Sequence, residues 1–166
     1  SITLPSASSS GGSSVSSLSY DAKGNLISST QTGMGSAGSV SATTSYSYNS
    51  LGQLLRIDGP RSDVDDSLSM TYYANSPAEG LNRGQLESVR NGAGQVTTFS
   101  EYTVLGKPGS IVESTGITSK LSYNFRGDVL SRTVNGLATT YSYDGGGRLQ
   151  SVTGPGGRST SYSYAG

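Results

Sequence analysis

Three features of the sequence predict an all-β fold, an antiparallel meander of repeated β-hairpins that is solenoid-like and open at both edges. The first is a tyrosine followed four residues later by a glycine: Tyr20/Gly24, Tyr48/Gly52, Tyr102/Gly106, Tyr123/Gly127 and Tyr143/Gly147. Tyr73 to Gly84 is the same unit stretched by an insertion containing Asn75, Pro77 and Gly80, and Tyr164 opens a further copy that is cut short. The glycines are spaced by 28, 32, 22, 21 and 20 residues, settling near the period that marks a stacked repeat. The second feature is alternation: runs rich in β-branched residues are bounded by turn signals at regular intervals. The third is composition. Gly (24) and Tyr (11) are prominent, Phe is 2, Trp is absent and only 32% of residues are apolar, which leaves little material for a thick interior.

Residues 1–15 are mostly Ser and Gly and read as a linker or an assembly strand. The array occupies 16–166 with about six to seven copies. Ser16 to Tyr20 alternates toward Leu18 and Tyr20, so order is expected from there. Leu86 to Arg90, the turn Asn91-Gly92-Ala93-Gly94 and Gln95 to Tyr102 form one predicted hairpin. Val129 to Val134, the tight turn Asn135-Gly136 and Leu137 to Tyr143 form the clearest one. There Leu137, Thr139, Tyr141 and Tyr143 share one face, and Ala138, Thr140 and Ser142 the other. Leu149 to Thr153, the turn at Gly154-Pro155-Gly156-Gly157 and Arg158 to Tyr164 repeat the layout. Each Tyr-to-Gly segment makes the opposite turn, where Asp21, Asn49, Asn124 or Asp144 bonds the backbone ahead and Gly takes a conformation costly to other residues. Insertions fall between strands: 61–66 lengthens one hairpin tip, and 75–83 lengthens a turn at the other edge.

Eleven basic and eleven acidic residues cancel without a run of either sign, which argues against nucleic-acid partners and polybasic membrane binding. No stretch approaches the roughly 20 apolar residues of a membrane-spanning helix. Without Cys, thiol chemistry and Cys-based zinc sites are excluded; without His, the commonest general base and metal ligand is missing. Asp63, Asp65 and Asp66 read either as a hard-cation cluster or as a solvated tip, and they lack the mid-loop Gly and distal Glu of the known calcium loop. The glycine-rich stretches 145–147 and 154–157 lack the Gly-Lys-Ser/Thr of a phosphate cradle and read as turns. A nucleophilic Ser would need Lys23, Lys107 or Lys120 as base, and Glu79, Glu87, Glu101 and Glu113 show no preferred pair. No catalytic, cofactor or metal residue is therefore assigned. The tyrosines themselves read either as a sugar-stacking platform or as cross-strand pairs worth about 0.2 to 1 kcal/mol each.

Tyr141 to Leu149, with Gly136 seven residues before Tyr143, resembles the full signature of the YD repeat, also called the RHS repeat, Arg148 included. Gly116 to Tyr123 and Gly157 to Tyr164 keep the seven-residue lead. Tyr20-Asp21 with Gly24-Asn25-Leu26, and Tyr46 to Leu54 through Asn49 and Gly52, are near matches. Two copies depart: Gly106-Lys107-Pro108 has Pro where Leu is usual, and the Tyr73 copy is interrupted. The resemblance covers about 16–166. It implies hairpins wound side by side into a spiral sheet, as in bacterial polymorphic toxins, wall-associated proteins, insecticidal toxin complexes and teneurins. In long members such a sheet closes as a shell around a cargo. Those members commonly carry an Asp-Pro cleavage segment, and this sequence has no Asp-Pro pair.

The reading this supports is a non-catalytic scaffold of a secreted or contact-delivered bacterial protein, extracellular or at the cell surface. It would form a wall or spacer around or beside another module, with other YD-repeat segments or an encapsulated cargo domain as partners. A second reading is a fibre subunit joined to identical subunits head to tail through edge strands at Leu18, Tyr20, Tyr162 and Tyr164, the unfinished last copy asking for completion. A third is a surface adhesin that binds glycan through exposed tyrosines.

Overall fold

The computed structural model describes residues 4–5, 14–35 and 38–165. Most of the expected N-terminal segment 1–15 therefore lies outside the described residues. The described residues form fourteen strands hydrogen-bonded in chain order, an open antiparallel meander with almost no helix. They are β1 (Leu4–Pro5), β2 (Val15–Tyr20), β3 (Leu26–Gly35), β4 (Gly38–Tyr48), β5 (Leu54–Asp58), β6 (Leu68–Tyr72) and β7 (Leu86–Asn91). Next come β8 (Val96–Ser100), β9 (Ser110–Val112), β10 (Thr118–Tyr123), β11 (Val129–Val134), β12 (Leu137–Tyr143), β13 (Leu149–Thr153) and β14 (Ser159–Ser161). Among the described residues the helical turns are confined to Pro77–Asn82 in the second insertion, 3-10 in character and broken at Gly80, whose φ is 56°. Two compact units are distinguished, one within Ser1–Thr71 and Val89–Gln95, the other within Tyr72–Ser88 and Val96–Gly166.

In the first unit, β2 pairs with β3 from Val15↔Thr32 to Ser19↔Ser28, then skips Ile27 so that Tyr20 opposes Leu26. The β4–β5 pair repeats this, with Ser47↔Arg56 followed by Tyr48↔Leu54 and Leu55 bulged out. The second unit does it twice more, at Tyr123↔Val129 and Tyr143↔Leu149. A bulge one residue past the turn is thus part of the repeat. It adds local twist and bends the strand at the same place in each copy.

Alternation along these registers gives two unlike faces. In the second unit Phe99, Ile111, Leu121, Val134, Leu137, Tyr141 and Val152 fall on one side. Ser100, Ser110, Ser122, Ser131, Thr140, Ser142, Ser151 and Ser161 fall on the other. Hydroxyls on that side bond across strands, Ser122 with Ser131 at 2.7 Å and Ser142 with Ser151 at 2.8 Å. The first unit has the same feature, with Ser19–Ser28 at 2.6 Å and Thr30–Thr43 at 2.9 Å. A single sheet layer cannot enclose a core. Accordingly Tyr102, 7% exposed, is the only buried hydrophobic residue among those described, while Leu137, Val40 and Leu68 are exposed.

Candidate functional site

The recurring residues converge on one turn design. In the first unit the Asp21 N–H donates to Asn25 O at 2.9 Å and Gly24 N–H to Asp21 O at 3.1 Å. Asn49 with Gln53 and Gly52, and Asn91 with Gln95 and Gly94, repeat both bonds. The second unit does so at 103–107, 113–117, 124–128, 144–148 and 154–158. This is the three-residue hairpin loop in which a left-handed residue follows a tight turn. Gly147, at φ 84°, shows why glycine is needed: a Cβ would be strained there and would meet the Arg126 guanidinium at 3.3 Å. Asn135-Gly136 makes the shorter turn between Val134 and Leu137, with φ of 48° and 82°.

Gly127 sits in its edge turn as the signature glycine is expected to. It keeps the turn role, with φ 85° and its N–H donating to Asn124 O at 3.0 Å, but it is also buried. The Lys107 side chain reaches over from the 103–107 turn and lies against it. A Cβ on Gly127 would come within 2.7 Å of Lys107 Cε. The backbone conformation is what requires glycine there, since the end of the flexible Lys107 side chain could swing away from an added Cβ.

The acidic or amide residue at the head of the turn locks it from inside. Asp144 Oδ1 accepts from the Gly146 and Arg148 N–H groups, both at 2.9 Å, and its Oδ2 accepts from Arg148 Nε at 2.8 Å. Asn124 Oδ1 accepts from Arg126 and Asp128, Asn49 Oδ1 from Leu51 and Gln53, and Asp21 Oδ1 from Lys23 and Asn25. The backbone and side-chain bonds from Arg148 hold the Asp144 carboxyl below the usual carboxylate range. For Asp21 the Asn25 side chain is the largest cause of the same shift.

The tyrosine joins one copy to the one before it. Tyr48 Oη donates to Leu26 O at 2.9 Å in the first unit. In the second, Tyr102 donates to Leu86 O (2.8 Å), Tyr123 to Pro108 O, Tyr143 to Val129 O and Tyr164 to Leu149 O (each 2.9 Å). The acceptor is always two residues past the preceding copy's glycine. Phenylalanine at these positions would fill the space and lose the bond. Burial pushes the Tyr102, Tyr123 and Tyr143 hydroxyls above the ordinary phenol range. These acceptor positions were not singled out in the sequence, although the Gly-x-Leu spacing marks them.

The interrupted copy needs a correction. The expected signature residue was Tyr73, but the Tyr73 N–H donates to Gln85 O at 3.0 Å, which is the bond made by the residue after the tyrosine in the other copies. β6 also ends at Tyr72, as β2, β4, β10 and β12 end at their tyrosines. Tyr72 therefore holds the signature position. Tyr73 instead sends its hydroxyl forward to Phe99 O at 2.9 Å. Gly84 keeps its turn role with φ 67°.

The following copy differs as well. β8 was expected to run to Tyr102, yet it stops at Ser100. Pro108 has no N–H to give to the strand opposite. Glu101 adopts φ 57°, unusual without glycine, and Gly109 N–H spans Ser100 O and Glu101 O at 3.1 and 3.0 Å. The Tyr102 N–H is taken by Asn82 Oδ1 at 3.0 Å, from the insertion. Asn82 also had no signal in the sequence.

The remaining candidates are dispersed. Asp63 pairs with Arg61 at 2.7 Å, Asp65 accepts from the Ser67 N–H at 3.0 Å, and Asp66 accepts from the Arg61 N–H at 3.1 Å. Among the described residues no three acidic side chains gather as a metal site. Lys120 is ion-paired with Glu101, Lys23 donates to Ser50 O at 3.0 Å, and Lys107 lies over the Tyr123 ring. Of the expected assembly residues, Leu18 and Tyr20 sit in β2, whose N-terminal end is partly covered by Leu4↔Ser16 and Pro5↔Val15. Tyr162 N–H donates to Gln150 O at 2.9 Å, and the Tyr164 ring lies under Arg148 at 4.8 Å.

Residues 123–159 match the family described as RHS Repeat. No curated protein matches this chain. The crystal structure of TcdB2-TccC3-TEV is similar over 98% of this chain and 9% of its own, at 18% identity and a TM-score of 0.61. That of TcdB2-TccC3-Cdc42 is similar over 86% of this chain and 8% of its own, at 13% identity and a TM-score of 0.61. TcdB2-TccC3 is a Tc toxin that itself carries RHS/YD repeats, and at these identities the likeness is one of fold. The chain spans less than a tenth of the length of those structures.

Proposed function

We propose that this chain, which carries RHS repeats, is a non-catalytic piece of β-sheet wall from a secreted or contact-delivered bacterial protein, set around or beside another module. The observation that carries this reading is the tyrosine series. Tyr102, Tyr123, Tyr143 and Tyr164 each give their hydroxyl to the backbone of the copy before, so the chemistry that recurs is consumed in joining copies. The Asp and Asn residues of the signature are likewise engaged by their own turns. A wall of one layer has an apolar side that needs a cover and a hydroxylic side that does not. The adjoining module covers the side bearing Leu121, Val134, Leu137 and Val152.

Carbene footprinting tests this. The same residues would be labelled in the isolated chain and in the longest natural protein that contains it. Labelling of Leu137 and Val152 is expected to fall several-fold in the longer protein, with Ser122 and Ser142 little changed. Equal labelling of the apolar side in both would sink the wall reading.

A further inference from the structure

In the second unit two neighbouring turns, 103–107 and 124–128, leave a groove of about 270 Å³ lined by Thr103, Val104, Leu105, Tyr123, Asn124 and Phe125. Val104 is 83% and Phe125 86% exposed, an uncommon display for turn tips whose conformation does not require apolar residues. Two cations stand against its rings. Lys107 Nζ lies 5.5 Å from the Tyr123 ring centre and Arg126 Cζ 5.7 Å from that of Phe125. Arg126 meets Asp128 at 3.5 Å, while Lys107 has no ion-pair partner among the described residues. Aromatic rings beside a cation form the kind of patch that anchors a partner's side chain. The group that fits is a small apolar side chain flanked by carboxylates.

The chain itself carries such a group. At the β5–β6 tip Val64 is 47% exposed and stands between Asp63 and Asp65-Asp66, with Arg61 the one cation of the segment. The tip is held in shape before any contact, by the Arg61 and Ser67 N–H bonds to Asp66 and Asp65. Gly92 of the neighbouring turn lacks the Cβ that would collide with the Asp65 backbone.

We propose that the groove receives the 61–66 tip of a second copy of this chain, with Val64 seated between Val104 and Phe125 and a tip carboxylate meeting Lys107. The contact is heterologous, one tip and one groove per copy, so it propagates or closes a ring. It uses side chains rather than strand edges, and it stands or falls independently of the wall reading. A tip-sized contact is smaller than a standard interface, so association is weak and falls with salt. An anionic membrane is the poorer fit, since lipid-binding clusters carry roughly four to eight Lys/Arg and this groove has two cations, one already paired.

Sedimentation equilibrium of the whole chain, from micromolar to millimolar and at low and high salt, tests the proposal. Reversible self-association is expected, weakened at least about fivefold by Val64→Ala and by Phe125→Ala. Lys107→Glu weakens it further, and adding Asp63→Lys to Lys107→Glu restores part of the loss by reversing both charges. All these positions are exposed, and an unchanged circular dichroism spectrum verifies that each variant folds. A chain that stays monomeric throughout overturns the proposal. So does association indifferent to Val64, Lys107 and Phe125, or binding to phosphatidylserine vesicles without self-association.

Discussion

Within the second unit, the copies headed by Tyr123 and Tyr143 differ instructively from the segments Tyr72–Ser88 and Val96–Ser110. The regular copies each close with the same turn bonds, bulge and tyrosine hydroxyl. The irregular stretch breaks the pattern twice, through the 75–83 insertion and through Pro108, and the two breaks meet at one hydrogen bond. Pro108 removes a donor from the ladder, Glu101 swings into a left-handed conformation, and the insertion supplies Asn82 to accept the Tyr102 N–H. A departure from the repeat is thus matched by a neighbouring departure, so the two are parts of one local solution. Tyr102, whose N–H makes that bond, is the most deeply covered hydrophobic residue described.

The comparison breaks most visibly through the tyrosines. Tyr102→Ala is expected to cost about 3 kcal/mol or more in urea denaturation, in the range for truncating a buried aromatic. Tyr164→Ala, at a position 46% exposed, should cost less than about 1 kcal/mol. Equal losses at the two sites would mean that the irregular stretch is no more tightly packed than the regular one.

Next in size is the link between the two departures. Asn82→Ala leaves the Tyr102 N–H without its acceptor and is expected to cost about 1 to 3 kcal/mol. Pro108→Leu restores a backbone donor where the regular copies have one. In that background Asn82→Ala should cost at least about 0.5 kcal/mol less, the size of coupling seen between residues sharing a network. Simple additivity of the two changes would show that the insertion and the proline are unrelated.

How much of this was legible in the sequence follows the same division. The hairpin Val129 to Tyr143 matches its predicted strand limits because alternation, an Asn-Gly turn and the glycine positions all agree there. The family reading rested on that segment and on its recurrence. Two adjacent tyrosines carry no information about which one ends a strand; the end of β6 at Tyr72 and the bond from the Tyr73 N–H to Gln85 separate them. The early end of β8 goes with a proline eight residues past it, a non-local effect that a strand-by-strand reading cannot contain. The burial of Gly127 is hidden in the same way, since the lysine that covers it belongs to the turn of the copy before. The tyrosine acceptors sit at a fixed spacing from the signature glycine, but a backbone carbonyl is present at every residue, so the spacing gains meaning only once the hydroxyl is seen to reach that one.

A smaller effect separates glycines within a single turn. Gly147→Ala is expected to cost about 1 to 2 kcal/mol, because φ is 84° and the new Cβ would press on Arg126. Gly145→Ala, in the same turn with open space around it, should change stability by less than about 0.5 kcal/mol. Thermal unfolding of the two variants side by side would decide whether the third glycine alone is required.

The smallest difference expected distinguishes the two regular turns themselves, one headed by Asn124 and the other by Asp144. The Asp144 carboxyl titrates lower in the folded chain than its unfolded value of 3.8, chiefly because the Arg148 backbone and side chain donate to it. A group depressed on folding contributes stability above its unfolded pKa and loses that contribution as pH falls through the folded one. The 144–148 turn should therefore loosen only below about pH 3.8, whereas the amide of Asn124 makes the same backbone bonds without titrating. Amide exchange at Gly146, followed by NMR against that at Arg126, reads this directly. Protection at Gly146 should decline on acidification while that at Arg126 holds, and Asp144→Asn should abolish the difference with little effect at neutral pH. If Gly146 in the Asp144→Asn chain still lost protection in acid, the turn would owe its stability to something other than the carboxylate.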